Sequence, residues 1–162
     1  MILIDRLSGA LAWVAGVLVY ALIGVMIYEV IARYMFGAPT IWAGDLTYMF
    51  GGASFMLAAA YGLKTGGHVS IDFLALMLPE RLRDGVQAIL LLFALPAVSA
   101  IAWVAANKTW TAYERGTTDP VSAFAPLLWP FYAMLSIGLI ALALQILASV
   151  LRATKKAMTF HG

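Results

Sequence analysis

Residues 7–28 read LSGALAWVAGVLVYALIGVMIY, 22 residues between Arg6 and Glu29 with no Asp, Glu, Lys, Arg or His among them. A helix needs about 20 apolar residues to cross the hydrocarbon layer of a bilayer, so this run alone can span one. Three more runs between charges follow, over residues 46–63, 85–107 and 120–151. Each is continuously apolar, whereas the strands of a membrane barrel alternate. The last run is too long for one crossing, and Pro120, Pro126 and Pro130 break its first third. Proline is tolerated in a first helical turn, so the fourth helix is expected to start near Pro126 or Pro130. The expectation is an all-α integral membrane protein with four tilted transmembrane helices, approximately 7–36, 44–64, 80–113 and 126–152, forming a single membrane domain over 1–162. The first run exceeds the ~7–15-residue core of a signal peptide and no small-x-small site follows it. It reads as a retained helix.

Composition agrees with this reading. Of 162 residues, 64% are apolar and 11% are charged, against about 45–50% and 25% in soluble domains. The mean hydropathy is +0.93. Disorder, a coiled coil and a nucleic-acid-binding domain are excluded. A net charge of +2 is too small for a polyanion partner. With no cysteine, disulfides, thiolate metal sites and a cysteine nucleophile are absent.

Four crossings put both termini on one side, with the connection between the second and third spans. Arg6, Lys64, Arg81, Arg83, Arg152, Lys155 and Lys156 fall on that side, and Arg33, Lys108 and Arg115 on the other. The positive-inside bias then places both termini in the cytoplasm. Tyr34, Trp42, Trp110, Tyr113, Trp129 and Tyr132 gather near the outer ends as an interfacial belt. Residues 69–78 are apolar but too short to cross, and read as a segment along the cytoplasmic interface.

The central parts of the spans hold no ionisable residue, although proton relays and ion-coupling sites in membranes are built from such residues. Ser54 and Gln145 are isolated polar residues, read as interhelical hydrogen-bonding groups. The only histidines, His68 and His161, lie in a loop and at the tail, so no axial haem ligand is available. Five features rise above this background. Glu29 and Arg33, spaced i,i+4, can pair on one helix face. Trp42 and Asp45 stand at the entrance to the second span as an aromatic anchor and a helix N-terminal acid. Gly51 and Gly52, with Ser54, Ala58 and Gly62, offer a small-residue face for close helix contact. Gly66 and Gly67 read as a helix C-cap, and His68 and Asp72 as an i,i+4 pair capping the interfacial segment, too few for a metal site. The fifth feature, Asp119-Pro120 with Glu114 and Arg115, reads as a solvated outer loop.

The order Glu29-Val-Ile-Ala-Arg33-Tyr-Met-Phe36, Trp42-Ala-Gly-Asp45, Gly66-Gly-His68-Val-Ser-Ile-Asp72 resembles the small, Q-type (DctQ-like) membrane subunit of TRAP transporters, the tripartite ATP-independent periplasmic transporters. The resemblance covers roughly residues 25–150. It departs from the family pattern at Asp45, where the acid is usually Glu. The resemblance implies a scaffold subunit in a bacterial or archaeal inner membrane, associating with a large elevator-type (M-type) membrane subunit. That subunit would carry the sodium and substrate sites, and a periplasmic (P-type) binding protein would deliver an organic acid. No cofactor is expected in this chain, no nucleic-acid partner and no enzymatic activity. Membrane lipids are its other expected partners, with a bound phospholipid compatible with the resemblance. The competing readings are a stand-alone four-helix multidrug-type exporter, which needs an acid well inside the first span, and an accessory membrane subunit of another complex.

Overall fold

In a computed structural model, residues 2–65 and 80–159 are described, with side chains over 3–65 and 89–152. Four helices account for nearly all of them: α1 Ile2–Met35, α2 Ala43–Lys64, α3 Glu80–Arg115 and α4 Trp129–Thr159. All four are long and apolar enough to cross a membrane. The 34 residues of α1 would reach about 51 Å at 1.5 Å per residue, well beyond the ~30 Å hydrocarbon layer, so the helix must tilt or protrude.

Helix ends differ from charge-gap boundaries for a simple reason. A gap between charges marks what lipid tolerates, whereas a helix continues until its capping or its prolines stop it. Thus α1 begins at Ile2 and takes Asp5 into its first turn. Helix α3 runs to Arg115, where Gly116 adopts φ +58°. Its N–H bonds Tyr113 O at 3.3 Å and that of Thr117 bonds Ala112 O at 3.0 Å, the paired closure that a left-handed glycine permits. Of the two proline starts, α4 takes the second, with Pro130 in its first turn. Pro96 lies inside α3.

Packing runs in the order α1, α2, α4, α3. Helix α2 lies between α1 and α4, α1 touches α4 only lightly, and α3 rests chiefly on α4. The seam between α2 and α4 is built from small residues. Ala53, Leu57 and Ala60 face inward from α2, and Ala141 and Ala148 from α4. The buried positions of α2 are Ala43, Met49, Ala53, Ser54, Leu57 and Ala60, so of the expected small-residue face Ser54 is buried while Gly51, Gly52, Ala58 and Gly62 are only half-buried. The outer faces of α1 and α3 carry Trp13, Tyr20, Ile27, Phe93, Ile101 and Trp103, all exposed, as lipid-facing or partner-facing helices require.

Candidate functional site

Polar contacts concentrate at the two ends of the bundle. At the end away from the N-terminus, Glu29 is buried in the last turns of α1. Arg33 donates from Nε to its Oε1 at 2.8 Å, and the backbone N–H of Thr40 donates to Oε2 at 3.0 Å. The Thr40 hydroxyl donates to the same oxygen. The i,i+4 pair read from the sequence is therefore the core of a larger node, in which one carboxylate ties α1 to the linker leading into α2. Thr40 has no signature in the sequence; an uncharged residue in a short linker gives no hint of a partner eleven positions back. The Arg33 side chain stays half-exposed.

Trp42 stacks on Tyr28 with ring centroids 5.6 Å apart, clasping the same linker from the other side. As the N-cap residue of α2 it makes no side-chain capping bond. Asp45, in the first turn of α2, accepts a hydrogen bond from the Ser122 hydroxyl. Ser122 lies in the connection from α3 to α4, an exposed stretch as expected, but one hydrogen-bonded within itself. Thr118 pairs with Leu127 as an antiparallel bridge, Asp119 N–H bonds Pro126 O at 3.0 Å, and Leu128 N–H bonds Thr117 O at 3.0 Å. Asp119 Oδ1 accepts from Val121 N–H at 2.9 Å, and Ser122 Oγ from Phe124 N–H at 3.0 Å. Ala125 completes the turn at φ +47°, a conformation uncommon without glycine. The connection is a small hairpin pinned to α2.

At the N-terminal end, Gln145 of α4 is fully buried. Its Oε1 lies 3.2 Å from Ser8 Oγ of α1, and its Nε2 donates to Asp5 Oδ1 at 3.3 Å. Arg152 Nη1 pairs with Asp5 at 3.4 Å, and Lys64 Nζ donates to the Asp5 carbonyl at 3.1 Å. Three helix ends meet on Asp5. Gln145 is isolated in the sequence but not in the fold, whereas Ser54 bonds only Gly51 O of its own helix, at 2.9 Å.

The glycine pair behaves unequally. A Cβ on Gly51 would lie 3.5 Å from Leu22 Cδ1, an ordinary contact, while one on Gly52 would meet the Phe131 ring at 3.0 Å. The closest helix approach is elsewhere: a Cβ on Gly138 of α4 would stand 2.5 Å from the carbonyl oxygen of Met56 in α2. Gly66, Gly67, His68, Asp72 and the interfacial segment 69–78 lie outside the described residues. Among the described residues no three His, Asp or Glu side chains are grouped as a metal site requires.

Residues 22–156, most of the chain, match the family described as "Tripartite ATP-independent periplasmic transporters, DctQ component". The chain belongs to that family. It is a DctQ-type small permease subunit of a TRAP transporter, and with four membrane-length helices it is a multi-pass membrane protein. It is also 32% identical over 71 residues to the sialic acid TRAP transporter permease protein SiaT of Haemophilus influenzae. That match takes in 44% of this chain but only 12% of the relative's length. In the DctQ-type subunit the motifs around Glu29 and Trp42 thus map to two clasps at the end away from the N-terminus, Glu29–Arg33–Thr40 and Asp45–Ser122.

Proposed function

We propose that this subunit is a non-catalytic, stationary scaffold. It would hold a large membrane subunit that moves the solute, in sodium-coupled uptake of an organic acid delivered by a periplasmic binding protein. One observation carries the reading: every ion pair among the described residues sits at an end of the bundle and joins parts of this chain to each other. Between those ends the helices offer alanine seams, and the buried amide of Gln145 at the N-terminal end is already bonded to Ser8 and Asp5. A solute or ion crossing a membrane needs a charged or polar group to replace its water, and a frame needs close, fixed contacts. The chain has the second kind.

The same reading places the subunit in the cytoplasmic membrane with Asp5, Lys64 and Arg152 at the cytoplasmic face, on the seven-to-three excess of basic residues on that side. The hairpin at residues 116–128 then faces the periplasm, where a binding protein would dock.

Reconstitution tests the proposal. Uptake into liposomes should require this subunit, the large subunit, a binding protein and a sodium gradient together. Solute transport by this chain alone would overturn it.

A further inference from the structure

Two cavities adjoin between α3 and α4 and share Trp103 as a common wall. The deeper, of about 530 Å³, is lined by Leu95, Ala102, Ala143, Leu144 and Leu147, with Ser99 as its one polar side chain. The other, of about 450 Å³, lies toward the hairpin end and is lined by Asn107, Lys108, Thr111, Thr117 and Tyr132. Both are open on the outside of the bundle. From Leu95 to Ala106 the groove covers twelve residues of α3, a rise of about 16 Å at 1.5 Å per residue. That is the depth of one leaflet, half of a ~30 Å hydrocarbon layer.

The polar end is built for an anion. Lys108 Nζ sits 6.0 Å over the Tyr132 ring, and among the described residues it has no carboxylate partner. Trp110, Tyr113, Trp129 and Tyr132 surround this level, and aromatic residues of that kind mark the headgroup boundary. Trp103, by contrast, is exposed well below this belt, at a depth where a tryptophan facing plain lipid is unusual. One apolar channel of leaflet depth thus ends in a cation with hydroxyl and amide neighbours and, among the described residues, no carboxylate partner.

We propose that the groove between α3 and α4 binds one glycerophospholipid, its phosphate on Lys108 and one acyl chain lying past Trp103 toward Leu147. Lys108 supplies the charge, Asn107 and Thr117 can bond the glycerol ester region, and the alanines leave room for the chain. The site is a property of this chain by itself and does not depend on the transported solute or on any transport step.

The test uses the full chain in detergent and follows tryptophan fluorescence during titration with dioleoylphosphatidylglycerol brominated on its acyl chains. Brominated dioleoylglycerol, which lacks the phosphate, serves as the comparison. The expected result is saturable quenching by the phospholipid, most of it lost in Trp103→Phe. Lys108→Ala should weaken the phospholipid about fivefold, the size of one partly exposed charge contact, and leave the diacylglycerol unchanged. Ala143→Phe, which fills the groove without touching Lys108, should reduce both. Quenching that rises without saturation, or that is indifferent to Lys108→Ala and Ala143→Phe alike, would overturn the proposal. So would Trp103 becoming shielded from brominated lipid when the large subunit is co-purified, because a protein surface would then occupy the groove.

Discussion

Three glycines stand at three distances from the neighbouring helix, and the distances rank their substitutions. Gly138→Ala would place a methyl 2.5 Å from a backbone carbonyl of α2, which cannot turn aside, so α2 and α4 must separate. Overpacking of this kind costs about 1–3 kcal/mol. Gly52→Ala presses on the Phe131 ring at 3.0 Å, a side chain with some freedom to shift, and should cost less. Gly51→Ala meets only an ordinary contact at 3.5 Å, and alanine gains about 0.5–1 kcal/mol over glycine inside a helix. Thermal unfolding in detergent should therefore rank Gly138→Ala below Gly52→Ala, with Gly51→Ala at or above wild type; equal losses at all three would refute the packing account. The adjacent pair at 51 and 52 is conspicuous in the sequence, whereas Gly138 is one glycine in an apolar run. Which of them meets backbone depends on helix crossing, and no local pattern encodes that. At the end of the bundle away from the N-terminus, Arg33→Glu would set two carboxylates against each other where Thr40 also bonds, and opens the α1 clasp on the linker. Co-purification with the large subunit should fall, and Arg33→Lys, which keeps the charge but loses the fork geometry, should fall less. Unchanged recovery of the reversed variant would remove Arg33 from any role in assembly.

At the scale of elements, the four helices are legible because lipid imposes a blunt rule: long runs without charge must be helical and must cross. The same rule leaves the connections blank. Pro120 and Pro126 show that the chain cannot be helical before α4, but not that it folds back into a hairpin. The bond from Ser122 to Asp45 joins positions 77 apart, and Ser8 meets Gln145 across 137. Single hydroxyls and amides carry no periodicity, so such pairings become visible only once the helices are placed. Each link has a consequence that can be measured. Ser122→Ala should free the hairpin from α2 and raise proteolytic cleavage around residues 121–125 several-fold while the helices stay intact; protection equal to wild type would show that the backbone bridge alone holds it. Gln145→Leu removes a donor from Asp5, while the Ser8 hydroxyl keeps its bond to Ile4 O at 3.0 Å, so thermal unfolding in detergent should show a loss of about 1 kcal/mol, that of one hydrogen bond. Adding Ser8→Ala should change little more, since the hydroxyl it removes is held by its own helix through Ile4 O; a large further loss would show that Ser8 has another role at this end.

At the scale of the whole molecule, the arrangement is a thin, splayed layer rather than a closed bundle. Helices α2 and α4 form its middle, while α1 and α3 each expose most of their apolar surface. In the lipid-spanning windows only 6% of residues are buried in α1 and in α3, against 28% in α2 and 33% in α4. Lipid does not drive helices together as water does, so such a layer is held by small-residue contact and by its polar ends. This explains why the clasps on Asp5 and Glu29 sit where the chain meets water and headgroups. It also makes orientation testable without any partner, because the native chain has no cysteine and one can be introduced at will. Val121, 92% exposed at the hairpin tip, should react as Val121→Cys with a membrane-impermeant maleimide added to intact cells. A cysteine at Lys155, on the side carrying the basic excess, should react only after the cells are opened. The reverse pattern would place the hairpin in the cytoplasm, out of reach of a periplasmic binding protein. The proposed docking of such a protein would then fail even though the four-helix frame stood unchanged.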